Sequence, residues 1–169
     1  KISAVKPEHY RIVAPAMVFK NQEDVKEAYH KGLLNRDVVV VVRFQGPKAN
    51  GMPELHALTP ILSNIQDMGF KVALVTDGRM SGASGKVLSA IHVTPEAIDG
   101  GTISKIQDGD KIEIDANIGK LNLNEDFSVR KNCKLRKASN VGFGRNLFSL
   151  LRKNAISAES GAGLNLIND

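Results

Sequence analysis

The chain has 169 residues, 42% of them hydrophobic, enough for one domain with a packed core and too apolar for a disordered chain. Its formal charge of +5 is modest and aromatics are only 5% of it, so it lacks the basic, aromatic-interleaved footprint of a nucleic-acid binder. One cysteine, Cys133, excludes an internal disulfide and a Cys-rich cluster built from this chain alone.

No apolar run reaches the ~18 residues of a membrane span. The single thiol suits a reducing, cytoplasmic compartment. The opening Lys1-Ile2-Ser3-Ala4-Val5-Lys6 is too short and broken for a signal peptide and lacks an initiator Met. That points to a fragment of a longer protein, or to processing. A denser basic patch from Arg130 to Lys137 reads as a solvated face or as a surface for an anionic substrate or partner.

Residues 11–19 read as a strand, with Pro15 favouring an edge or irregular position. Asn21 is a candidate N-cap for a helix running to Lys31, with Glu23, Asp24 and Glu27 early and Lys31 late, as the macrodipole prefers. Gly32 stops it. Val38 to Val42 is an unbroken β-branched run and so predicts a central strand buried on both faces. A loop from Gln45 to Gly51 follows. Leu55, Leu58, Leu62 and Ile65 then recur at helical spacing between Pro53 and Met68. Pro60 inside that stretch predicts a kink or two short helices. After Gly69, residues 71–76 read as a second buried strand.

Strand, helix, strand in this order predicts a parallel βαβ unit. The polar loops 45–53 and 77–85 would then leave the same C-terminal strand edge, where open α/β sheets place ligands. Further on, residues 89–93 read as a short strand and Pro95–Gly101 as a helical turn. Residues 102–106, 111–115 and 120–124 read as an antiparallel meander with one wet face. A C-terminal helix is expected from Gly142 to Asn154, and 157–169 as an irregular tail.

The loop Thr76-Asp77-Gly78-Arg79-Met80-Ser81-Gly82 is the most informative stretch. Its glycines let backbone N–H groups approach an anion. The nucleotide-binding pattern G-x-x-x-x-G-K-[ST] fails, because Met80 replaces its first Gly and Val87 follows Lys86. A Ser hydroxyl is a weak base until its surroundings lower its pKa, so local chemistry alone favours a loop-forming role for Ser81. Glu54 likewise reads first as a carboxylate in an opening helical turn. His92 reads as a hydrogen-bonded core histidine, and Cys133 as incidental.

Three stretches carry a resemblance: Arg43 to Leu55, Val72 to Val87 and Ala90 to Ala97. Together they resemble the C-terminal domain of the dihydroxy-acid/6-phosphogluconate dehydratase family, and the likeness covers nearly the whole chain. It implies a swivelling β/β/α domain over residues 1–156, a mixed α/β fold with a barrel-like sheet flanked by helices. That domain would close over an N-terminal domain of the same protein. The resemblance further implies that Glu54 is a metal ligand and that Ser81 is the base removing a proton. A [4Fe-4S] cluster, with ligands outside this chain, and Mg2+ or Mn2+ are the implied cofactors, and a cytoplasmic homodimer the implied assembly.

The implied reaction is dehydration of 6-phospho-D-gluconate to 2-keto-3-deoxy-6-phosphogluconate, the Entner-Doudoroff step of gluconate utilisation. Ala83-Ser84-Gly85-Lys86 resembles the phosphogluconate branch. Lys86, with Lys48, Arg79 and Ser84, is the expected set for substrate anionic groups. The alternatives are a dihydroxy acid or a non-phosphorylated sugar acid as substrate, or a non-catalytic binding module. No nucleic-acid or membrane partner is expected.

Overall fold

The computed structural model describes residues 1–81, 85–134 and 148–165. Six strands form one mixed sheet that curls into a half-barrel: β1 (Arg11–Phe19), β2 (Val38–Val42), β3 (Val72–Thr76), β4 (Leu88–Ala90), β5 (Lys111–Asp115) and β6 (Lys120–Leu123). Their order is β4-β3-β2-β1-β5-β6. The first four strands run parallel, and β1–β5 and β5–β6 are antiparallel. Helices α1 (Gln22–His30) and α3 (Leu58–Asp67) link the parallel strands, and a single turn, α2 (Pro47–Asn50), interrupts the loop after β2. This is the expected mixed α/β domain. Among the described residues no helix is long and apolar enough to cross a membrane.

Strand β2 is the wall shared by two cores. Val38, Val40 and Val42 face Val25 and Ala28 of α1 and Leu58, Ile61, Leu62 and Ile65 of α3. Val39 and Val41 face inward with Ile12, Ala14, Ala73, Val75, Ile103, Ile112 and Ile114. The absence of polar alternation thus follows from burial on both sides. Each such side chain contributes about 1.5–3 kcal/mol by leaving water. Helix α1 begins where the sequence places it, with the Asn21 side chain accepting the Asp24 N–H. Gly32, at φ 71°, turns the chain away just after its last turn.

Several expectations need correction. Pro15 lies in the sheet interior, not at an edge. β1 pairs with β5 through Arg11–Pro15 and with β2 only from Ala16 onward. The N–H and C=O of Ala16 engage residues 109 and 110 on the β5 side. Pro15, one residue earlier, therefore turns its missing N–H to the side where β2 has not yet joined. Pro60 causes no kink, because α3 starts at Leu58 and the proline sits in its first turn, where no intrahelical N–H bond is due.

Residues 102–105 form a 3-10 turn rather than a strand. Ile103 and Ile106 stand three apart, which aligns them on one side of such a turn and buries both. The third partner of the antiparallel meander is β1. The loop 45–51 contains α2, and β4 ends at Ala90 rather than Val93. At the C-terminus α4 covers Ser149–Asn154, while the start of the expected helix lies outside the described residues. The tail folds back through an Ala155–Leu164 bridge and a short turn at Ala158–Ser160.

Leu34 is fully buried just ahead of β2, at the N-terminal edge of the parallel strands. Leu34→Ala is expected to lower unfolding free energy by about 2–5 kcal/mol, read as a shifted urea midpoint with an unchanged slope.

Candidate functional site

The loops after β2 and β3 meet at the C-terminal edge of the parallel strands, as the βαβ order predicts. What joins them is Asp77, fully buried at the end of β3. Its Oδ1 accepts the Gln45 N–H at 2.8 Å, and its Oδ2 accepts those of Phe44 at 3.0 Å and Ala97 at 2.9 Å. One carboxylate therefore pins the loop after β2, the loop after β3 and the turn after β4. Phe44 is held at φ 64°, a conformation unfavourable for a bulky residue that the Asp77 bond and core packing sustain. Gly78 is needed here, since a Cβ on it would lie 2.6 Å from the Gln45 Cβ.

A second buried carboxylate, Glu96, lies beside the first. Its oxygens accept the N–H groups of Lys48 and Ala49, each at 3.1 Å, in the single turn α2. Gly46 makes room for it, because a Cβ there would fall 2.4 Å from Glu96 Oε2. Burial pushes both carboxyls above the ordinary range, against the pull of the N–H groups each accepts. The charge of Asp77 adds to the upward push on Glu96.

Of the predicted site residues, Glu54 and Arg79 come together. They form a parallel bridge between the loops, with Arg79 Nη1 4.0 Å from Glu54 Oε2. Arg79 also donates through Nε to the Met52 carbonyl at 2.9 Å, and its own carbonyl accepts the Leu55 N–H at 3.0 Å. Glu54 is half-exposed in an extended loop four residues before α3, so it caps no helix. It is thus a carboxylate available to a hard cation as one oxygen ligand. Ser81 is half-buried two residues beyond Arg79.

Lys48 rides on α2 and pairs with Asp99 at 2.6 Å. Ser84 lies outside the described residues. Lys86 is not brought to this edge: it precedes β4, whose Leu88 is level with Ala73 near the start of β3, and it pairs with Asp67 at the far end of α3.

His92 is exposed at φ 57°, not a core histidine, and donates its backbone N–H to Gly78 O at 3.0 Å. His56 is also exposed. Cys133 is a half-buried free thiol. Among the described residues no group of three His, Cys, Asp or Glu side chains could hold a metal by itself. With one cysteine in the chain, these residues do not fit the role of sole holder of an iron–sulfur cluster. Sequence reasoning missed Asp77 and Glu96 as organisers. The available signal was an acidic residue set directly against an apolar strand or turn, where a charge needs partners.

An α/β domain that gathers two constrained polar loops at the C-terminal edge of its parallel strands is built to present side chains to a ligand. The chain belongs to the dihydroxy-acid/6-phosphogluconate dehydratase family, whose C-terminal model matches residues 1–162. It is 57% identical to the phosphogluconate dehydratase of Escherichia coli strain K12 over 166 residues, 96% of this chain and 28% of that protein. It is 54% identical to the phosphogluconate dehydratase of Zymomonas mobilis over 165 residues, 96% of this chain and 27% of that one. A dihydroxy-acid dehydratase of Caldanaerobacter subterraneus is 44% identical over 133 residues, covering 78% and 24%. The chain spans about a quarter of the length of the curated relatives it matches.

Asp77→Asn replaces an acceptor by an amide whose NH2 faces backbone donors, so it should cost about 1–3 kcal/mol. A carboxyl with a raised folded pKa contributes stability that is full below the unfolded value of about 4 and is lost as pH rises through the folded one. Urea midpoints measured across that window should fall with pH in the parent, and less steeply in the Asn variant.

Proposed function

We propose that this chain is the C-terminal part of a hydro-lyase that dehydrates 6-phospho-D-gluconate to 2-keto-3-deoxy-6-phosphogluconate, the Entner-Doudoroff reaction. The observation that carries the proposal is the bridging of the Glu54 and Arg79 loops at one sheet edge, with Ser81 two residues on. The names and identities of the relatives support the substrate. They agree over nearly all of this chain with phosphogluconate dehydratases and over less of it with the dihydroxy-acid enzyme.

In this reading Glu54 gives one oxygen to Mg2+ or Mn2+, whose remaining ligands come from an N-terminal domain of the same protein. When bound, the cation supplies fixed positive charge for the substrate carboxylate. Arg79, now held by Glu54 and Met52, is released to take a substrate anionic group, with Lys48 and Ser84 as further candidates. Ser81, as the alkoxide, takes the proton from C2 as the C3 hydroxyl departs, then gives that proton to the departing hydroxide, which leaves as water. The resulting enol gains a proton at C3 and loses the one on its C2 hydroxyl, giving the 2-keto acid.

A [4Fe-4S] cluster, held by ligands outside this chain, belongs to the same proposal. A cytoplasmic homodimer completes it.

Assays on the full-length enzyme test the reading through formation of the 2-keto product. Ser81→Ala should lower kcat by about 10²–10⁴-fold with little change in KM. If the variant kept near-parental kcat, Ser81 would not be the base. A panel including a non-phosphorylated sugar acid and a 2,3-dihydroxy acid should favour the phosphorylated substrate, and preference for either of the others would reassign it. Arg79→Ala should raise KM for 6-phosphogluconate about tenfold or more. Lys86→Ala, whose ammonium is neutralised by Asp67 at the opposite edge, should change KM by less than about twofold.

A further inference from the structure

Glu96 spends both carboxylate oxygens on one short stretch of backbone, Lys48 and Ala49. That stretch leads to Glu54 through a hydrogen-bonded turn. The N–H groups of Asn50 and Met52 return to Gly46 O, that of Gly51 to Pro47 O, and Gly51 and Met52 both have positive φ, 69° and 54°. Two residues later comes Glu54, held from the other side by the Arg79 contacts. Next to Glu96, the Ala97 N–H is bound by Asp77, the first residue of the loop that carries Ser81. The Glu96 side chain is only 2% exposed, so it acts through this backbone and not by direct contact.

We propose that Glu96 is a positioning residue that sets where the Glu54 carboxylate stands relative to the Ser81 loop, and thereby the affinity of the site for its divalent cation. This rests on the reading of Glu54 as a cation ligand. Gly46 belongs to the same device, because only a residue without Cβ lets Glu96 reach the two N–H groups.

The test is Mn2+ binding to the full-length enzyme, read directly from the electron paramagnetic resonance signal of free Mn2+. Glu96→Gln keeps the shape but turns a donor toward a donor, and Gly46→Ala displaces the carboxylate without removing it. Each should weaken Mn2+ binding by about 10–100-fold, as loss of outer support for a ligand does. Leu34→Ala, a destabilising change at the opposite sheet edge, should leave the affinity at the parental value. Glu54→Gln gives the reference loss.

Parental affinity in both Glu96→Gln and Gly46→Ala, with loss in Glu54→Gln, would make Glu96 a packing residue only and overturn the inference. An equal loss in Leu34→Ala would also overturn it, as a general stability effect. Parental affinity in Glu54→Gln would overturn the ligand reading itself, and the inference with it.

Discussion

A single buried carboxylate organises the functional edge of this domain. Asp77 receives three backbone N–H groups from two separate segments, those of Phe44 and Gln45 after β2 and that of Ala97 after β4, one on Oδ1 and two on Oδ2. In the low-dielectric interior those bonds are worth more than in water, and an unpaired Asp there would be costly. The cost of burying the charge makes the arrangement specific: each loop must arrive with its N–H in place, or the carboxylate is left unsatisfied. The positive φ of Phe44 and the small Gly78 are consequences of the same constraint.

The sheet makes this convergence possible. Because β2 and β3 are parallel neighbours joined by α3, their exits lie side by side, and the Glu54–Arg79 bridge continues the strand pairing into the loops. The doubly buried valines of β2 fix the platform from both faces. Glu96 then extends the Asp77 anchor to α2 and the approach to Glu54. Glu54, Ser81 and Lys48 stand half-exposed, and Arg79 exposed, on a frame anchored by the buried carboxylates of Asp77 and Glu96.

Much of this frame was legible wherever a short-range physical rule acts alone. Asn21 and Gly32 bound α1 because capping is local, and Val38–Val42 announced a central strand because burial on both faces removes alternation. Reading failed where the partner strand decides. Pro15 is tolerated inside the sheet only because β2 joins one residue later, a fact of register that no local pattern carries. For 102–106 the period was misjudged, since Ile103 and Ile106 are spaced for a turn and not a strand. At the candidate site, the resemblance pointed to Glu54 and Ser81, and the strand–helix–strand order put the loops that carry them on one edge. For Asp77 and Glu96 the sequence shows only a carboxylate set against an apolar segment; which partners it finds depends on backbone donors in loops 20 to 48 residues away. Lys86 stood as a candidate because Ala83-Ser84-Gly85-Lys86 resembles the phosphogluconate branch, but the chain returns to the start of β4 and Lys86 pairs with Asp67 at the far end of α3.

We propose that this edge is one half of a composite dehydratase site. A crystal structure of the full-length protein with Mn2+ and a non-reacting 6-phosphogluconate analogue tests it most directly, the metal being located by its anomalous signal. A manganese peak is expected within bonding distance of a Glu54 oxygen, with Ser81 Oγ about 3–3.5 Å from the C2 position. A metal bound without Glu54, or a substrate seated away from the Ser81 loop, would contradict it.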